Sequence, residues 1–261
     1  NATKCKLLTV TRSRSPIGFN YNLDGSMLES VGTFKDLGVV FDKNLCFTSH
    51  IKSVVSKSNR VCGMIKRSVG YNAPQNVKLL LYKTLARPIL EYCSQVWSPH
   101  LKKDILLIES VQRSMTNYIL NSDVSLSYQE RCLQLEILPL SYRREIADLM
   151  FLYKYLNGSI AVDFNELLKV NVSSSHANLR SSCNGLLLKD SLTRTELFKA
   201  SYFNRIPQLW NILPSDLRNL HASPAFKSSL TEFYFSKLAL FNVHNSCLLT
   251  SICRCRGFYH R

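Results

Sequence analysis

The hydrophobic pattern changes its period once, near Thr48, and that change limits what the chain can build. Ahead of it, apolar residues come in short β-rich runs. Lys6–Val10 (KLLTV) is one such run. Phe19–Leu23 and Met27–Val31 flank Asp24-Gly25, a pair that favours the positive φ angles of a two-residue hairpin turn. Phe34–Phe41 makes a further strand, with Gly38 inside it as a bulge or a point of close backbone approach. From Thr48 onward the repeat is 3.6 residues. A helix beginning near Ser49 gathers Ile51, Val54, Val55, Val61, Cys62, Ile65 and Val69 within an arc of roughly 120°. Lys52, Lys57, Arg60 and Arg67 fall on the opposite side, and Gly70 is placed to cap the end.

The helical pattern then continues. Pro74 stands in the first turn of a second helix carrying Val77, Leu80, Leu81 and Leu85, which Pro88 kinks or ends. Ile89–Trp97 resumes the pattern until Pro99. A third long helix covers about Asp104–Leu120, with Ile105, Ile108, Val111, Met115 and Ile119 on one face. Shorter helices are expected at Tyr128–Leu135 and at Ser141–Leu156, the latter closed by Gly158. Residues 171–185 are polar and turn-rich and read as a linker. Beyond them Phe198–Trp210 and Ala225–Leu240 are helical, separated by the turn around Pro214. The fold class is α+β and mainly α. A small N-terminal β-hairpin and sheet portion (1–47) precedes a helical bundle (48–170), the linker (171–185) and a helical C-terminal region (186–261).

The 261 residues carry a net charge of +15. Residues 1–70 hold +7 of it, residues 71–160 only +2, and residues 161–261 the remaining +6. A basic surface of this size favours a polyanion through release of condensed counterions, and RNA or DNA is the expected partner. A solvated surface without a partner is the plain alternative. Apolar residues make up 46% of the chain, yet no run reaches the roughly 18 apolar residues of a membrane span, so no membrane partner is expected. No charged-then-apolar leader follows Asn1. The nine cysteines are odd in number and fall mostly inside apolar helical patterns, as reduced core cysteines do. These features point to an intracellular protein, nuclear and/or cytoplasmic, without structural disulfides. The sequons at Asn1, Asn157 and Asn171 are then chance matches.

Chemistry-bearing motifs are few. Two-metal phosphoryl transfer needs clustered carboxylates, but the aspartates are scattered, with no Asp-Asp pair and no D-x-D. No phosphate-binding glycine loop, HExxH or GxSxG occurs. The histidines lack ligand-spaced partners and read as surface or capping residues. Cys247-x5-Cys253-x-Cys255-x4-His260 is spaced poorly for tetrahedral zinc, so no metal site is expected.

Several runs nonetheless resemble the reverse transcriptases of non-LTR retrotransposons, in the group of jockey-like and CR1-like LINE elements. Asn1-x-x-Lys4-Cys5 resembles the end of the palm motif that follows the catalytic Asp-Asp turn, and Lys35-Asp36-Leu37-Gly38-Val39 the primer-gripping strand. His50-Ile51, Leu90-Glu91-Tyr92-Cys93 with Trp97-x-Pro99, and Ile108-Glu109-x-Val111-Gln112-Arg113 resemble the thumb and following helices. Leu140-x-x-Arg143-Arg144, Trp210-Asn211-x-Leu213-Pro214 and Phe226-Lys227 resemble the tail of such reading frames. Each motif is weak alone; their order and spacing across nearly the whole chain carry the resemblance.

The resemblance implies a palm remnant, a primer-template-binding thumb and a helical tail from an RNA-directed DNA polymerase. The rest of the polyprotein is then an upstream partner. The catalytic aspartates, and the Mg²⁺ they would hold, belong to a palm site this sequence does not contain, so the fragment is expected to bind no cofactor and not to polymerise alone. Lys4 matches the lysine that protonates the leaving pyrophosphate, with a surface lysine as the alternative. Lys35 and Gly38 match the contact with the primer end. Lys52, Lys57, Arg60, Lys66 and Arg67 are the candidates for phosphate contacts, which position a duplex without reading its sequence. Trp97, Tyr92 and Trp210 are expected to pack in the core, and Lys102-Lys103 to be exposed or to touch nucleic acid. Two other readings use the same residues: a domesticated helical module binding nucleic acid or protein, and a relic of the element without function.

Overall fold

A computed structural model describes residues 4–11, 13–15, 18–121, 125–164, 166–168, 187–189 and 193–246, the side chains of 241–246 excepted. The expected linker at 171–185 and the Cys247–His260 run lie outside the described residues. The chain is mainly helical, with a small N-terminal sheet region followed by helices.

Among the described residues, three separate two-stranded pairs make up the β portion. Strands β1 (Lys6–Leu7) and β4 (Glu29–Ser30) pair in parallel, and a Lys6–Glu29 ion pair sits across them. Strands β2 (Asn22–Leu23) and β3 (Ser26–Met27) form the antiparallel hairpin expected around Asp24-Gly25, whose φ angles are 51° and 72°. The expected single strand at Phe34–Phe41 is instead a second hairpin of β5 (Thr33–Asp36) and β6 (Val39–Asp42), with Phe34 opposite Phe41. Leu37 (φ 44°) and Gly38 (φ 90°) turn the chain between them. Gly38 is therefore a turn residue, not a bulge within a strand.

Helix α1 (Thr48–Val69) buries Ile51, Val55, Cys62 and Ile65 as its period requires, and it ends at Gly70, whose φ of 69° suits glycine. Helix α2 (Gln75–Leu81) departs from expectation. Val77, Leu80 and Leu85 are exposed, and the buried line is Lys78, Tyr82, Ala86 and Leu90. Lysine reads as a surface residue, but Lys78 is fully buried because its charge has partners. Its Nζ donates to Tyr71 O at 2.6 Å and Asn121 Oδ1 at 2.7 Å, and it lies 4.8 Å from the Tyr118 ring centre.

Pro88 does not end this helix. A π turn over Tyr82–Ala86 widens the spiral just ahead of it, and α3 (Arg87–Glu91) continues. The wider turn accommodates a residue that has no N–H and would crowd the carbonyl four residues back. The break comes at Cys93, in left-handed conformation (φ 56°), so α4 (Ser94–Trp97) is separate from α3.

Helix α5 (Lys102–Ile119) carries Ile108, Val111, Met115 and Ile119 into the core as expected. It also buries Glu109 and Gln112, both in the motifs behind the family resemblance. Tyr82 Oη donates to Gln112 Oε1 at 2.8 Å, and Gln112 Nε2 donates to Tyr128 Oη at 2.9 Å and Leu138 O at 3.0 Å. Glu109 accepts from Tyr128 Oη and, at 2.9 Å, from Leu140 N. Most of these polar atoms satisfy one another inside the protein, while buried Glu109 Oε2 has no hydrogen-bond partner among the described residues. Burial there also pushes the Cys132 thiol up to about 12, which makes it inert at neutral pH.

Helices α6 (Tyr128–Gln134) and α7 (Leu140–Leu156) follow, and α7 packs against α4 and α5 on one side. It also packs against α3, α9 (Tyr202–Ile212) and α11 (Ser223–Ser246); α9 comes after α8 (Glu196–Lys199), and α11 after α10 (Ser215–Arg218). The expected helix at Phe198–Trp210 is split, with extended Ser201 between α8 and α9. Trp210 and Phe226 meet with ring centres 6.1 Å apart, and Phe226 stacks on Tyr153 at 4.2 Å. Buried residues from Val39 to Leu238 belong to one hydrophobic cluster.

Candidate nucleic-acid interface

Helix α1 has five cations and no carboxylate over its 22 residues. Its neighbour α5 flanks one side of the exposed face, and a groove of about 670 Å³ follows the contact. Lys52, Ser56, Asn59, Arg60, Gly63 and Arg67 line the groove on α1, and Leu107 of α5 also lines it. Those α1 positions fall on one face because each has another three or four residues away along the helix. From Lys52 to Arg67 the rise of 1.5 Å per residue gives about 22 Å, or roughly six nucleotides of one strand.

The expected phosphate-contact residues separate into groups here. Lys52, Arg60 and Arg67 come together along the groove, are exposed, and make no ion pair among the described residues. Lys57 is exposed but does not line the groove. Lys66 turns to α5, where its Nζ donates to Ser114 Oγ at 3.2 Å and lies 5.5 Å from the Tyr118 ring centre. Ser56, Asn59 and Gly63 are groove residues that sequence reasoning misses, although successive steps of four, three and four residues from Lys52 lead to them. Gly63 leaves the floor open, since a Cβ there would stand 3.3 Å from Arg67 Nη1.

The β5–β6 hairpin is fastened to the start of α1. Val40 N donates to His50 Nδ1 at 3.3 Å, and the His50 ring sits edge-on to Trp97 at 5.2 Å. His50 is thus buried, not a surface or capping histidine: its Nδ1 accepts from a backbone N–H and its ring packs on Trp97, while Nε2 is buried without a hydrogen-bond partner among the described residues. Tyr92 fastens the hairpin's other end: its Oη donates to Leu37 O at 3.0 Å, and a Cβ on Gly38 would meet its ring at 3.4 Å. Tyr92 remains 58% exposed, so it is a tether and not the core residue expected; Trp97 and Trp210 are core residues, as expected. Lys35 is exposed on β5 and near enough to act on His50. Lys4 is exposed, with no hydrogen bond among the described residues, and Lys102 and Lys103 are exposed at the start of α5.

Burial, with a smaller contribution from Lys35, holds the His50 pKa below the ordinary histidine value. Protonation would also remove the acceptor that receives Val40 N–H. As pH falls through about 6.5 the unfolded chain takes up a proton that folded His50 resists, so stability falls toward acid and is retained above that pH. Urea midpoints measured from pH 7.5 down to 5.5 are expected to decline, and a His50→Asn variant, which keeps an acceptor but cannot titrate, should decline less.

Among the described residues no group of three His, Cys, Asp or Glu converges to hold a metal ion. No catalytic step is assigned to these residues. No described helix is long and apolar enough to cross a membrane. No protein-family profile, curated protein or solved structure matches the chain.

Proposed function

We propose that the chain is a nucleic-acid-binding part of an RNA-directed DNA polymerase of the non-LTR retrotransposon kind, in which α1 and the β5–β6 hairpin hold a primer–template duplex. The observation that carries this reading is the exposed Lys52–Arg60–Arg67 row beside α5, with no carboxylate on α1 to neutralise it. Cations without an ion pair among the described residues, spread along about 22 Å, suit a run of phosphates better than a single small anion. Lys35 and the Leu37-Gly38 turn lie at the α1 N-terminal end, where the hairpin would meet the primer terminus.

The N-terminal strands support an upstream partner. Two-stranded pairs are marginal alone, and Phe19, Tyr21, Leu23 and Met27 expose apolar surface that a larger sheet would cover. Lys4 would protonate the leaving pyrophosphate only when such a partner brings the metal-binding carboxylates beside it.

Lysine acetylation read by mass spectrometry tests the reading. With an RNA–DNA heteroduplex bound, Lys35 and Lys52 are expected to be protected, while exposed Lys154 on α7 reacts as in the free protein. Unchanged reactivity of Lys52 in a saturated complex would contradict it.

A further inference from the structure

A second cavity, of about 430 Å³, opens where three distant segments meet: the β6–α1 connection, the α4–α5 connection and α8–α9. Half-buried Phe41, Phe47, Phe151 and Phe203 line it, as do the exposed side chains of Val96 and Leu101. It shares no lining residue with the α1 groove.

One carboxylate stands in this aromatic wall. Asp104 is only 4% exposed, and its Oδ2 accepts from Thr48 Oγ1 at 2.7 Å. It has no ion pair among the described residues. Arg205 also lines the cavity but is engaged elsewhere, donating to Asp148 Oδ2 at 2.8 Å, Ala200 O at 3.0 Å and Gln95 O at 2.9 Å. Asp104 thus retains acceptor capacity inside an apolar site. Lys102 and Lys103 are exposed on the adjoining segment and supply positive charge outside.

We propose that this cavity binds one guanine base, with its ring against the phenylalanines, its donor edge on Asp104 and its phosphate toward Lys102 and Lys103. A carboxylate accepts only, and guanine alone among the four bases presents an imino and an amino donor side by side. Aromatic faces beside such an acceptor are how unpaired bases are recognised. A free guanine nucleotide and an unpaired guanine in a strand offer the same chemistry, and the site is independent of duplex binding by α1.

Calorimetric titration of the full chain with GMP, AMP, CMP and UMP tests this. GMP is expected to bind at least about tenfold more tightly than UMP, and Asp104→Asn to remove most of that preference. Val96→Trp, which enlarges an exposed lining residue without touching the core, is expected to abolish binding. Lys102→Gln with Lys103→Gln should weaken GMP and leave guanosine unchanged. Displacement of GMP by an oligonucleotide with one unpaired guanine, but not by its paired duplex, identifies a strand as a source; GMP binding without displacement identifies the free nucleotide. Equal affinity for all four nucleotides, undiminished binding to the Val96→Trp variant, or preference for a Trp- and Lys-containing peptide over GMP would overturn the proposal.

Discussion

Replacing Lys52, Arg60 and Arg67 together by alanine is expected to weaken binding to an RNA–DNA heteroduplex about 100-fold near physiological salt, with no measurable loss of folding stability. Each phosphate contact contributes about 0.9 to the slope of log K against log salt, so three lost contacts lower it by about 2–3 units. Extrapolation from molar to physiological salt turns that change into about two decades of affinity. Stability should hold within about 0.5 kcal/mol, because these side chains are exposed and take part in no ion pair among the described residues. Lys66→Ala is the contrast: its ammonium is already held by Ser114 and Tyr118, so its effect on the slope should be smaller. Filter binding at several salt concentrations, with thermal melts of the same proteins, separates the two outcomes.

Asp148→Ala is expected to cost about 3–5 kcal/mol, the range for removing one member of a buried pair. Asp148 lies on α7 with its side chain 2% exposed, and it accepts from Arg205 Nε at 2.8 Å and Nη2 at 3.3 Å. Arg205 also donates to Gln95 O and Ala200 O, so one guanidinium joins α7, α9 and the α4 region. Without the carboxylate a mostly buried cation is left unpaired. The pair is not free of cost even when intact: burial raises the Asp148 pKa despite its cationic neighbours. The double change Asp148→Leu with Arg205→Met should therefore be milder than Asp148→Ala. Urea denaturation checks both, and a melting temperature lowered by about 10 °C is the corresponding shift for Asp148→Ala. A loss under about 1 kcal/mol would contradict the role given to this pair.

What the sequence revealed follows from how local each cause was. Asp24-Gly25 announced its hairpin because both residues tolerate positive φ, whereas Leu37 hid the second turn by having an apolar side chain at φ 44°. The α1 faces were legible because burial and period agreed, and the groove residues Lys52, Arg60 and Arg67 were already on the predicted basic side. The neighbouring helix departs from its pattern because Val77, Leu80 and Leu85 are exposed while Lys78 is buried, a choice made by Tyr71, Tyr118 and Asn121 from other segments. His50 and Tyr92 are hidden from sequence for the same reason: their partners, Val40 N and Leu37 O, lie in a hairpin whose pattern reads as one strand. Pro88 is expected to kink or end its helix, and of these the end does not occur, because the π turn ahead of it lets the helix pass.

The most direct test is the salt dependence of heteroduplex affinity for the unaltered protein. Five exposed cations on α1 and β5, namely Lys35, Lys52, Lys57, Arg60 and Arg67, predict a log K against log salt slope of about −3 to −5. A slope near zero would mean that the basic face meets no phosphates, and the duplex-holding role would fail with it.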